Sequence, residues 1–234
     1  MANVRRFPGN LALILLWLIL LGGAFALDRP IASWVRDTVP VDKHHALTRH
    51  LLQIVKLPGW FPVTLCIAVV LGVLHPRRWQ GAVALLLSAV TVGALYSVIK
   101  WAAGRHRPVK GVFPFAFHPF PRGFVGLWKE SALCFPSGHA SLSFATAACL
   151  ALLMPRWWWV FYLIALCTAV ERVLENAHYL SDVVAGAGLG LLVGTLLTRK
   201  ILRMDDTNRP NQLPLDRGPA ASADQPARTS FNAS

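Results

Sequence analysis

Residues Glu171 to Asp182 read Glu-Arg-Val-Leu-Glu-Asn-Ala-His-Tyr-Leu-Ser-Asp, and this stretch lies between two long apolar runs. Ionisable groups at membrane depth are costly, so they mark function. Here they form a pattern. His178 and Asp182 are four residues apart, which on a helix places both on one face. A carboxylate so placed accepts a hydrogen bond from one imidazole N–H and leaves the other nitrogen free as a nucleophile. Arg172 adds a planar cation suited to bidentate contact with phosphate.

The surrounding sequence sets the fold class. The chain of 234 residues is 55% hydrophobic and 15% charged, with a mean hydropathy of +0.48. A water-soluble domain of this length carries more charge, so the expectation is an all-α polytopic membrane protein. The net charge of +12 does not indicate a nucleic-acid surface, because most basic residues flank apolar runs. Membrane flanks and a site for an anionic head group account for it better. Cys66, Cys134, Cys149 and Cys167 have no metal-ligand spacing and read as buried free thiols.

Six transmembrane helices are expected. Arg5 and Arg6 precede the run Leu11–Leu27, whose Ala24-Phe25-Ala26 end resembles a signal-peptide cleavage site; we read it as an uncleaved first span. Residues 28–59 then form an outer loop, in which Asp42–Lys56 has apolar residues at helical spacing (Leu47, Leu51, Ile54, Val55) and reads as an interfacial amphipathic helix. His44, His45 and His50 lie on its wetted face rather than forming a metal site. The second span covers about Phe61–Leu74, and the third covers Gln80–Trp101. The fourth opens at Pro136-Ser137 and reaches Met154, the fifth begins at Trp157–Trp159, and the glycine-rich sixth runs from Asp182 to Leu202. Gly186, Gly188, Gly190 and Gly194 permit close helix packing there. The membrane domain is thus 1–203, and the polar 204–234 reads as a disordered cytoplasmic tail.

Arg5, Arg6, Arg77, Arg78, Arg156, Arg199, Lys200 and Arg203 crowd into short segments on one side of this topology. The positive-inside rule then puts both termini in the cytoplasm. Three clusters consequently share the outer face. They are Lys100 with Arg107-Pro108, then Pro136-Ser137-Gly138-His139, then Arg172, His178 and Asp182.

In order and spacing, these blocks resemble the tripartite signature of the type 2 phosphatidic acid phosphatase (PAP2) superfamily. The signature covers Lys100–Asp182, and the pattern of spans extends the likeness over about residues 10–203. One position departs: where the family usually has serine before the third-block arginine, this chain has Glu171. The resemblance implies a bacterial membrane lipid phosphatase of the inner membrane with its site facing the periplasm. His178 would be the nucleophile that forms a phosphohistidine. Asp182 would orient His178, a role compatible with capping the sixth helix. His139 would protonate the leaving oxygen and then activate water. Lys100, Arg107 and Arg172 would bind phosphate oxygens, and Ser137 and Gly138 would present backbone N–H groups at a helix N-terminus. No metal or other cofactor is expected.

Taken singly, Lys100 reads as a snorkelling lysine and Arg107 as an ordinary loop cation. The phenylalanines of loop 102–135 (Phe113, Phe115, Phe117, Phe120 and Phe124) shape either a lid or a loop resting at the interface. A phospholipid, lipid A or a polyprenyl phosphate is the expected partner class, with no nucleic acid. A lipid phosphotransferase and a non-catalytic lipid-phosphate transporter or scaffold are the rival readings.

Overall fold

The computed structural model of the chain describes residues 7–39, 46–74, 79–108, 116–121 and 133–208. Seven α-helices are seen among them: α1 (Phe7–Thr38), α2 (Ala46–Val55), α3 (Phe61–Leu74), α4 (Trp79–Ala103), α5 (Gly138–Leu153), α6 (Trp158–Leu174) and α7 (Leu180–Asn208). No strand is found among the described residues, only the isolated bridges Arg105–Phe117 and His106–Leu133. Arg5, Arg6, His44, His45, Arg77, Arg78, Phe113, Phe115, Phe124 and the segment 209–234 lie outside the described residues.

Among the described residues, four helical segments are long and apolar enough to cross a membrane alone: Leu11–Thr38, Trp79–Ala103, Pro155–Leu174 and Leu180–Arg203. A fifth crossing is possible if His50–Gly59 and Phe61–Val73, bent by 63° at their junction, act together. Helix α5 has 16 residues, about 24 Å at 1.5 Å per residue, against a hydrocarbon core of about 30 Å. The expected count of six is therefore not reached by length and composition alone. Large apolar side chains cover the outside of the bundle, with Ile19 71% and Val73 73% exposed. That is the surface a lipid solvent requires.

One boundary moves substantially. Residues 28–38, expected to begin a loop, continue α1 to Thr38 despite Pro30. Proline removes one backbone hydrogen bond from the helix, while Asp28, which reads as a breaker, is drawn into the bundle by partners on other segments. Helix α7 likewise runs past Leu202, the expected end of the sixth span, to Asn208.

The α5–α7 contact forms the centre of the bundle, and glycine makes it possible. A Cβ on Gly186 would lie 2.5 Å from the Ser137 carbonyl oxygen, one on Gly190 would lie 2.2 Å from that of Ser141, and one on Gly194 would lie 2.6 Å from that of Ala145. The expected close packing is present, and it is backbone against backbone. Small residues continue the theme, with Ala89, Val92, Leu142, Ala145 and Val193 forming one core cluster and Ala68, Ala84, Leu85 and Cys149 another. All four cysteines are free thiols, as read, but only Cys134 and Cys149 are buried; Cys66 and Cys167 lie on the exposed helix surface.

Candidate active site

Alternating helix directions bring the three sequence blocks to one end of the bundle. Lys100 occupies the last turn of α4, Gly138 and His139 begin α5, Arg172 ends α6, and Asp182 is in the first turn of α7. Arg107 follows α4, and His178 sits in the turn between α6 and α7.

The turn that presents His178 has a definite local cause. Asn176 has φ of 53°, the left-handed conformation that asparagine tolerates at a helix C′ position. The Asn176 N–H donates to the Val173 carbonyl at 2.8 Å, and the Ala177 N–H donates to that of Arg172 at 3.2 Å. These two bonds make a Schellman closure. The His178 N–H also donates to the Arg172 carbonyl, at 3.3 Å. Helix α7 then starts with its own cap, because Asp182 Oδ2 accepts the Tyr179 N–H at 2.9 Å. This is the returning half of a capping box.

Ser137 is the N-cap of α5 and accepts from the Ala140 N–H. Its own N–H donates to the Asp182 carbonyl at 2.9 Å, which ties the second block to the third. A Cβ on Gly138 would approach the Tyr96 ring at 3.1 Å, and one on Gly59 would lie 2.7 Å from Cβ of His139. The first turn of α5 is thus confined from both sides. Lys100 lies over the Tyr96 ring at 5.1 Å.

Electrostatics unite the set. The charges acting on His178 include Asp182, Arg107 and Lys100, while burial and then the nearby cations Arg172, Lys100 and Lys56 lower the pKa of His139 to about 3. His178 is 3% exposed, and burial lowers its pKa to about 4 against the partial support of Asp182. Its imidazole is accordingly neutral at ordinary pH, as a nucleophile requires. Nδ1 of His178 lies 3.5 Å from Oδ2 of Asp182, outside hydrogen-bond geometry. Burial also lowers the pKa of Arg107, with Arg172 adding to the effect. Its Nε is a buried donor without a hydrogen-bond partner, an arrangement that favours an incoming acceptor.

Arg172 is arranged differently from expectation. Glu171, 1% exposed, receives both Nε (2.6 Å) and Nη2 (2.5 Å) of this guanidinium, and Glu175 also pairs with Nη2. Glu175 in turn lies 3.9 Å from Lys56. The glutamate in place of the family's serine therefore orients Arg172 and balances its charge.

Sequence reasoning missed Arg105 and Asp28, which it placed in loops. Both are fully buried, and Arg105 bridges Asp28 and Asp182. Burial disfavours the Arg105 charge, but the two carboxylates outweigh it and raise its pKa. Gly104, with φ of 63°, turns the chain into this position; a Cβ there would lie 1.7 Å from the His118 carbonyl oxygen. Phe117 faces the Arg105 guanidinium at 5.4 Å, and Phe120 meets Trp101 edge to face with ring centroids 4.7 Å apart, so the described part of the phenylalanine-rich loop packs on the site. Among the described residues, no group of three or more His, Cys, Asp or Glu is arranged to hold a metal ion.

The chain is similar to the lipid A 1-phosphatase of Rhizobium johnstonii, 39% identical over 117 residues that cover 48% of this chain and 44% of that one. It is similar to the lipid A 1-phosphatase of Rhizobium etli, 40% identical over 114 residues that cover 48% of this chain and 46% of that one. The matched region thus spans less than half the length of either relative. The fold is that of a transmembrane PAP2-type phosphatidylglycerolphosphate phosphatase from Bacillus subtilis, with a TM-score of 0.59 and 21% identity over 85% of this chain and 96% of that one. The PAP2 superfamily model matches residues 81–204, which contain all three blocks and more than half of the sequence, and the chain belongs to the PAP2 superfamily.

Proposed function

We propose that this protein is an integral membrane lipid phosphatase that hydrolyses a lipid phosphate or diphosphate on the outer face through a phosphohistidine. The observation that carries the reading is the convergence of two histidines and the cations Lys100, Arg107 and Arg172 at one end of an apolar bundle. Nε2 of His178 attacks phosphorus in line, forming the N–P bond as the bond to the lipid oxygen breaks. The anionic phosphate of the substrate offsets the cations that, with burial, hold the pKa of His139 down at about 3, so His139 takes up a proton, delivers it to that leaving oxygen, then takes one from the water that cleaves the N–P bond. The cations and the N–H groups at the start of α5 stabilise charge on the equatorial oxygens. Asp182 offsets the positive charge that develops on His178, and its 3.5 Å separation is the kind of contact that tightens once substrate is bound.

Arg156, Arg199 and Lys200 at the opposite end support cytoplasmic termini and a periplasmic site in an inner membrane, with six crossings if the short helices α3 and α5 each count as one. In that arrangement α2, with Leu51 and Ile54 exposed, rests at the interface. An apolar groove between α2 and α6, lined by Leu52, Val55, Leu166, Val170 and Leu174, includes Glu171 beside Arg172, which supports a substrate with an acyl tail. The Rhizobium relatives make the lipid A 1-phosphate the first head group to test.

The test is phosphate release by purified protein from a panel of lipid A 1-phosphate, phosphatidate, phosphatidylglycerophosphate and undecaprenyl diphosphate, with His178→Ala and chelator in parallel. Release abolished in the variant and indifferent to chelator is expected. Phosphate transfer to a lipid acceptor would replace hydrolysis with the transferase reading, and binding without either reaction would leave a scaffold.

A further inference from the structure

We infer that Asp28 and Arg105 are positioning residues for the phosphoryl-transfer site, so that the first helix takes part in setting the geometry and charge of the nucleophile. This rests on the phosphatase reading given above. Asp28 lies within α1 and is fully buried. A carboxylate at that depth persists only with partners, and its partners come from the site. Oδ1 accepts the Ser181 N–H at 2.8 Å, while Oδ2 accepts the Ser181 hydroxyl at 2.5 Å and Nη2 of Arg105 at 2.6 Å. Asp28 therefore caps the first turn of α7 from a different helix.

Arg105 completes the connection. Its Nη1 donates to Ser181 Oγ at 2.7 Å and to Asp182 Oδ1 at 2.5 Å, so the two arms of the guanidinium reach separate carboxylates. The rings of Phe25 (5.4 Å), Phe117 (5.4 Å) and Tyr179 (4.1 Å) surround it. This fixed fork leaves Asp182 little rotational freedom. With Oδ1 held by Arg105 and Oδ2 held by the Tyr179 N–H, Oδ2 is the oxygen that faces Nδ1 of His178.

Charge supplies the second half of the argument. A lone Arg105 would cancel Asp182, which would then offer nothing to the imidazole as it becomes cationic. Two carboxylates share one guanidinium here, so the cluster keeps a net negative charge beside His178. Asp28 thus acts through Arg105 and Asp182.

The test is steady-state kinetics of Asp28→Asn and Ser181→Ala in the full chain, using the lipid phosphate that wild type hydrolyses and inorganic phosphate as a competitive product inhibitor. Asp28→Asn keeps the shape and removes the charge; kcat should fall roughly 10- to 100-fold, as misplacement near a reacting atom does. KM and competitive inhibition by inorganic phosphate should stay within about threefold of wild type, because ground-state phosphate contacts are untouched. Ser181→Ala keeps every charge and loses the bridging hydroxyl, so a smaller loss confined to kcat is expected. Wild-type kinetics in both variants would overturn the inference. So would a joint collapse of kcat, phosphate inhibition and melting temperature, which marks a purely structural staple. If Asp28→Asn is not recovered folded, Ser181→Ala decides by the same criteria. A wild type inactive on every lipid would overturn the phosphatase reading and this role with it; an active wild type with unaltered variants overturns this role alone.

Discussion

Gly190→Ala is the sharpest probe of how helix packing sets this site. The added methyl would lie 2.2 Å from the Ser141 carbonyl oxygen and 2.9 Å from the Ala145 nitrogen. Both are backbone atoms of α5, so no side chain can swing away. Ordinary contact begins at 3.4 Å, so the two backbones must part by about 1.2 Å along that line. Helix α5 carries Ser137–His139 at its start and α7 carries Asp182, so the displacement reaches the site. Overpacking of this kind costs about 1–3 kcal/mol, which corresponds to a melting temperature lower by about 2–12 °C in a chain of this size. A shift near 1 Å between catalytic groups lowers kcat by about 10- to 100-fold. Gly93→Ala in α4 is the matched control, since its Cβ would meet nothing within 4 Å. Removing glycine from a helix interior without a clash stabilises by about 0.5–1 kcal/mol. Melting in detergent and phosphate release would be measured on both. If Gly190→Ala melts and turns over as Gly93→Ala does, the close α5–α7 contact does not set the catalytic geometry.

Two further outcomes follow from the site. Protonation removes the lone pair that His178 needs, so activity falls as pH falls through its pKa; burial at about 4 places the acid limb of kcat/KM there instead of near the ordinary 6.5. A limb near the ordinary value would contradict the dry environment assigned to His178. Glu171→Gln leaves Arg172 balanced by Glu175 alone; breaking a buried ion pair costs at most about 3–5 kcal/mol, and an unchanged melting temperature in detergent would show that Glu171 does not hold Arg172 in place.

Local pattern alone made much of this protein legible. Apolar runs and their basic flanks located the helix cores because the membrane interior is a uniform solvent that rewards continuous hydrophobicity. The order of Lys100, Ser137 to His139, and Arg172 to Asp182 was enough to group them, since alternating helices return every second connection to one side. The glycines of α7 announced close packing for the same local reason, the lack of a side chain.

What the tertiary structure decided depends on contacts between residues remote in sequence. Asp28 and Arg105 are 77 residues apart, as are Arg105 and Asp182, and no periodicity links them. An acid after an apolar run, followed by Arg29-Pro30, reads locally as the end of a helix; burial against Ser181 makes it part of α1. Glu171 was visible as a departure from the family pattern, but its effect depended on where its side chain pointed. Packing turned it onto Arg172, because a buried carboxylate lowers its free energy most by pairing with a nearby guanidinium. Sequence determined which groups are present and which end of the bundle they share; packing decided how each charge is held.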